Sequence, residues 1–145
     1  MAPNLALTII GSILILVGII FNAIPKLVNE KIMGQLPKEA VEISALFRVV
    51  LGGLAIAIGT IALYGRHLPA EHAGHLLFSM GSGFVIVILT LISGKLRGFD
   101  DEIPIPPIIL FTLLTILAYT SSLIKFYLLQ ILWEKKFWSS CSLLV

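Results

Sequence analysis

The sequence predicts an all-α, polytopic membrane protein, an antiparallel bundle of four transmembrane helices. Three observations carry that prediction. Hydrophobic residues fill 58% of 145 positions and charged residues 12%, against about half and about a quarter in soluble domains, with a mean hydropathy of +1.05. Four apolar runs, at 5–24, 45–64, 72–93 and 107–124, are each long enough for a helix to cross a hydrocarbon core about 30 Å thick. Charges and prolines gather in the connections between them, and short connections force neighbouring helices to run antiparallel. The whole chain, 1–145, reads as one membrane domain. A net charge of +2 without a basic cluster predicts no nucleic-acid partner. The single cysteine, Cys141, leaves no internal disulfide and no cysteine metal cluster.

The first run, 5–24, is uncharged and is stopped by Pro25. Met1-Ala2-Pro3-Asn4 lacks the basic region of a signal peptide, and the run is too long for its apolar core, so a membrane span is the better reading. Thr8, Gly11, Ile15, Gly18 and Asn22 step by three and four residues and share one helix face. Asn22 is expected to make an interhelical hydrogen bond or a helix-end contact.

The connection from 26 to 44 carries Lys26, Glu30, Lys31, Lys38, Glu39 and Glu42, with a turn marked by Gly34 and Pro37. Pro37 suits the first position of a helix. Ala40, Ile43, Phe47 and Val50 keep helical spacing, so the second membrane helix is expected to begin outside the bilayer. Within it, Arg48, Gly52, Ala55, Gly59 and Ala62 line one face, and Val50, Leu54, Ile58 and Ile61 the opposite one. Lipid tails do not drive helices together, so membrane helices associate where small side chains permit close approach. Gly52, Ala55 and Gly59 are therefore the predicted packing positions, with Gly53-x-x-x-Ala57 and Ala55-x-x-x-Gly59 as the small-residue pairs.

A short link, 65–71, leads to the third span, on which His75, Ser79, Ser82, Ile86, Leu89 and Ser93 form a mostly polar stripe; Gly81 and Gly83 thin that helix. Prolines at 104, 106 and 107 place the start of the fourth span near Pro107, with Thr112, Thr115, Tyr119 and Ser122 as its polar stripe. Beyond Lys125, residues 126–133 are apolar again. They either continue the tilted helix or turn along the interface, and continuation is favoured. Both termini and the 65–71 link share one face, with Arg66, Lys125, Lys135 and Lys136; the other carries Lys26, Lys31, Lys38, Arg48, Lys95 and Arg97. The excess of six cations over four places the second face in the cytoplasm and both termini outside.

The stretch Leu46-Phe47-Arg48-Val49-Val50-Leu51-Gly52-Gly53-Leu54, following a first span ended by Pro25, resembles the small four-helix bacterial membrane proteins of the DoxX-like superfamily, over about residues 5–123, and above all members of unknown function. The resemblance implies the four-helix fold and no settled activity, so no catalytic residue is carried over.

Two constellations could hold chemistry. Arg48 has no acidic residue one turn before or after it. It either snorkels to headgroups or pairs with Asp100, Asp101 or Glu102, which the topology puts at the same membrane face. Glu71, His72 and His75 could share the start of a helix as weak metal-ligand candidates, though a fourth ligand is not visible and an interfacial role is favoured. No carboxylate lies inside a span, which argues against a cation-coupled exporter. No serine–histidine–acid order, phosphate loop or H-E-x-x-H is present. The expected function is accordingly non-catalytic: an accessory or structural subunit packing against other membrane proteins or against a second copy, within membrane lipid. The alternative is a lipid-, quinone- or pigment-binding bundle with a pocket lined by Asn22, the glycine face of the second helix, Ser79, Ser82 and Tyr119.

Overall fold

A computed structural model describes residues 2–34, 37–97 and 105–122. It is all-helical: α1 (Pro3–Ala23), α2 (Pro25–Met33), α3 (Lys38–Gly65), α4 (Ala70–Leu96) and α5 (Ile105–Ser122). Four of these, all but α2, are long and apolar enough to cross a membrane.

Proline sets several of the boundaries. Pro3 opens α1 and Pro25 opens α2, each within the first two helical positions. The missing N–H costs nothing there, because the first amides of a helix have no intrahelical acceptor. Between α1 and α2, Ile24 leaves the helical region at φ −135° and ψ 53°. The first connection is therefore not only a turn: with Pro25, its first eight residues form the nine-residue α2. Gly34 ends α2 at φ 74°, a left-handed conformation that glycine enters without a Cβ clash. Helix α5 already includes Ile105 and Pro106, ahead of the expected start at Pro107.

The bundle is built around α1. One of its faces, Gly11 and Gly18, lies against Gly59 and Gly52 of α3 in antiparallel register. Another face, Ala6, Leu7, Ile10 and Leu14, joins Ala73, Leu77 and Phe84 of α4 and Leu114 and Ala118 of α5 in a single buried cluster. The turn between α3 and α4 is closed where Gly65 meets the Leu76 side chain. Large side chains such as Leu16, Val50, Leu54, Ile61, Ile86 and Leu113 point outward, as lipid-facing positions do in a membrane bundle.

The α1–α3 seam is a backbone contact. A Cβ on Gly18 would lie 2.6 Å from the Gly52 carbonyl oxygen, and one on Gly52 would lie 2.8 Å from the Gly18 oxygen. Seven residues away the pattern repeats: Gly11 faces the Gly59 oxygen at 2.7 Å, and Gly59 faces the Gly11 oxygen at 2.8 Å. Each glycine thus directs a Cα–H at the opposing carbonyl, the arrangement of the weak Cα–H···O bonds found between close helices. Gly53 stands apart from this seam, with nothing within 4 Å of its Cβ position, and Ala57 is exposed. The pair Gly53-x-x-x-Ala57 is therefore not part of the α1–α3 contact.

On α4 the expected polar stripe is not the packing face. Ala73, Leu77, Gly81 and Phe84 are buried, whereas His75, Ser79, Ile86 and Leu89 are exposed. The hydroxyls find acceptors within their own helix: Ser79 donates to the His75 carbonyl, Ser82 to that of Phe78, and Thr90 to that of Ile86. A hydroxyl satisfied in this way can face lipid, as the exposed Ser79 and Thr90 do, so polarity alone does not mark an interface on α4. Helix α5 packs on α4 through Ala118 and Tyr119, which lie over Gly81 at 3.3 and 3.4 Å from its Cβ position. Ser122 donates to the Gly74 carbonyl at 3.0 Å, and the Tyr119 and Ser82 hydroxyls lie 3.1 Å apart. Phe78 meets Tyr119 edge to face, centroids 5.4 Å apart, and Phe84 meets Phe111 at 5.8 Å.

Candidate functional site

A hydrogen-bonded group of polar side chains lies where α1, α2 and α3 meet. Arg48 is 17 residues from Gly65, the last residue of α3, and so about 26 Å along the axis at 1.5 Å per residue. If the turn after Gly65 marks one membrane surface, Arg48 stands at the opposite rim of the hydrocarbon core. The turns of α3 before it extend past that rim, and α2 packs against them.

Asn29 of α2 is the centre of the group. It is only 3% exposed, and burying an amide without partners would cost about 1–3 kcal/mol. Both ends of the amide are used. Its Nδ2 donates to Ser44 Oγ at 3.0 Å, and Ser44 in turn donates to the Val41 carbonyl at 3.0 Å. Its Oδ1 accepts from Arg48 Nε at 2.8 Å. The guanidinium carbon of Arg48 lies 5.0 Å from the Phe21 ring centroid, a cation–π distance. One edge of the guanidinium is thereby held by Asn29 and the group is placed against the Phe21 ring. Four N–H donors, those on the two Nη atoms, are left over. Among the described residues no carboxylate comes within ion-pair reach of them; Glu30 and Glu42, at the same end of the bundle, are both exposed.

The predicted partners of Arg48, namely Asp100, Asp101 and Glu102, lie outside the described residues. Arg48 is half-buried, and within the described chain its partners are Asn29 and Phe21. Sequence reasoning did not find Asn29 as a functional residue. An asparagine among lysines and a glutamate reads as solvated, and the one signal that could have found it was structural: Pro25 and Gly34 bracket the segment as a short helix.

The remaining candidates are dispersed. Glu71, His72 and His75 occupy exposed positions on the first turns of α4. Among the described residues no three histidine, cysteine, aspartate or glutamate side chains converge in an arrangement that could hold a metal ion. Asn22 donates to its own helix, to the Gly18 carbonyl at 2.9 Å, and its amide nitrogen covers Gly52. Gly52 and Gly59 face the α1 backbone, so the glycine face of α3 does not line an open pocket. Ser82 and Tyr119 face one another between α4 and α5, and Ser79 is exposed. Ala55 is half-buried.

No protein-family model, curated protein or solved structure matches the chain. The class of protein its architecture defines is an all-α membrane protein with four candidate spanning helices.

Proposed function

We propose that this chain is a non-catalytic membrane subunit that packs against another membrane protein or a second copy of itself through the outer face of α3. The observation that carries the reading is the open surface at Gly53. Gly53, Ala57 and Thr60 are all exposed and recur at helical spacing, and nothing lies within 4 Å of the Gly53 Cβ position. A glycine inside a helix is about 1 kcal/mol less favourable than alanine, and lipid returns nothing for that loss. A neighbouring helix does, because a small residue lets its backbone come close. The inner small face of α3 is already covered by α1, so this outer face is open to a partner. Membership in the DoxX-like group, suggested by Leu46–Leu54, belongs to the same proposal. So does an orientation with Lys26, Lys31, Lys38, Arg48, Lys95 and Arg97 on the cytoplasmic side.

Cysteine-free protein carrying Gly53→Leu, or Ala57→Leu, should keep the melting temperature of the parent bundle in mild detergent, since nothing lies within 4 Å of the Gly53 Cβ position and Ala57 is exposed. Its native mass should fall from that of a complex to that of one chain. A parent protein that is already a single chain without bound protein, or a complex that survives both substitutions, overturns the proposal.

A further inference from the structure

A fixed cation at the membrane rim has an electrostatic requirement that the described chain does not meet. Arg48 is half-buried, and its only described partners are a neutral amide and an aromatic ring. Neither neutralises the charge. Snorkelling into water would leave the side chain mobile. Here the chain Val41 carbonyl, Ser44 hydroxyl, Asn29 amide and Arg48 Nε holds one edge of the guanidinium through three successive hydrogen bonds of 2.8–3.0 Å. Asn29 is nine-tenths buried or more, so this clamp is part of the packed structure. What remains is the end edge, two parallel Nη groups, the geometry that pairs with two oxygens of a phosphate or carboxylate.

We infer that the Nη edge of Arg48, held by Asn29 and Phe21, binds the phosphate of an anionic phospholipid at this membrane face. Three further features point to a lipid as the source of that phosphate. The site lies at headgroup depth by the length of α3. Helix α2 presents Lys26 and Lys31 together with Leu27, and Ile24 precedes it, all exposed, the mixture of cations and apolar groups that lies in a membrane interface. Leu51, three residues deeper than Arg48 on α3, and Phe47, beside Arg48 at the rim, are exposed large apolar side chains, and Leu51 offers an acyl chain a surface below the headgroup. The site lies at the α1–α2–α3 junction and is independent of the outer α3 face proposed above for a protein partner.

The test is retention of a defined lipid by the full chain. Wild type, Arg48→Lys, Arg48→Gln and the double variant Lys26→Gln/Lys31→Gln would be purified in mild detergent and mixed with dioleoyl-phosphatidylglycerol, with dioleoyl-phosphatidylcholine or with inorganic phosphate. Bound lipid would be counted by native mass spectrometry. Wild type should retain one phosphatidylglycerol in preference to phosphatidylcholine, and the lysine double variant should retain it too. Both Arg48 variants should bind it about tenfold more weakly, because lysine keeps the charge and loses the planar fork. If Arg48→Gln does not fold, Arg48→Lys decides the matter. Equal retention by Arg48→Lys and wild type overturns the inference in favour of general charge attraction. Absence of retained lipid from wild type overturns it as well, since the Nη edge would then be satisfied from within the chain. Displacement of the lipid by equimolar inorganic phosphate overturns the lipid assignment and leaves a free-anion site.

Discussion

The α1–α3 and α4–α5 contacts are both antiparallel and both contain glycine, yet they are built in opposite ways. Between α1 and α3, four glycines on two helices meet reciprocally, Gly11 with Gly59 and Gly18 with Gly52, and at each of them an opposing backbone carbonyl is among the nearest atoms. Between α4 and α5 there is one buried glycine, Gly81, and what it meets is the side chains of Ala118 and Tyr119. The rest of that contact is aromatic pairs and two hydroxyl bonds. Backbone cannot move out of the way without moving a whole helix, whereas a side chain can change rotamer or yield by tenths of an ångström. The first seam should therefore tolerate no added atom, and the second should tolerate several.

The largest expected effect follows directly. Gly18→Leu or Gly52→Leu should separate α1 from α3, with a loss of at least about 3 kcal/mol or failure to fold, beyond the usual cost of overpacking because an opposing backbone carbonyl stands at each site beside the side chains of Ile56 or of Asn22 and Phe21. Gly53→Leu, one residue from Gly52, should be nearly silent in the isolated bundle. Thermal unfolding of the three variants in detergent reads the difference. Equal stability of Gly52→Leu and Gly53→Leu would remove the distinction between an inner and an outer small face on α3.

A smaller and sharper comparison uses the same change, glycine to alanine, at both contacts. Alanine gains about 1 kcal/mol over glycine in a helix interior. At Gly18 the new methyl would sit 2.6 Å from the Gly52 oxygen, and a net loss of about 1–3 kcal/mol is expected. At Gly81 the nearest atom is the Ala118 Cβ at 3.3 Å, so a slight shift of α5 should offset the propensity gain and leave stability within about 0.5 kcal/mol of the parent. Unfolding midpoints of the two variants, measured side by side, check both values. A Gly81→Ala loss as large as that of Gly18→Ala would mean that α5 is held as rigidly as α1.

The contrast also accounts for what could be read in the sequence. Spans were legible because a soluble fold rarely contains an uninterrupted apolar run of about 20 residues. Gly11, Gly18, Gly52 and Gly59 were legible as aligned small residues, since close approach in lipid leaves little else to select. The inward face of α4 was not. Ser79 and Ser82 bond to carbonyls of their own helix, and of the two only Ser82 also meets a neighbouring helix, through Tyr119, so the stripe as a whole did not mark the packing face. The buried set, Ala73, Leu77, Gly81 and Phe84, is no more apolar than Phe78, Ile86, Leu89 and Ile92, which are exposed on the same helix. Hydrophobicity loses its power to tell inside from outside when the solvent is itself apolar. Helix α2 was missed for a different reason: its inward residue is Asn29, whose burial is stabilised by Ser44 and Arg48, two residues 15 and 19 positions away.

The smallest effect tests the side-chain character of the α4–α5 contact most directly. In Tyr119→Phe the phenolic oxygen disappears and its 3.1 Å contact with Ser82 is lost. Ser82 is not orphaned, because the same hydroxyl can donate to the Phe78 carbonyl at 3.0 Å. The ring remains, and with it the edge-to-face contact with Phe78 and the cover over Gly81. Interhelical hydrogen bonds inside a membrane average about 0.6 kcal/mol, because the separated helices also find partners for their hydroxyls. Tyr119→Phe should cost no more than that. A double-mutant cycle with Ser82→Ala isolates the pair from the loss of ring polarity, and a coupling of about 0.6 kcal/mol or less is expected. A coupling of about 2 kcal/mol or more, above the usual range for such bonds, would show that α4 and α5 are held by a polar lock. The adaptable contact between side chains, on which the tolerance predicted for Gly81 depends, would then be the wrong description of this half of the bundle.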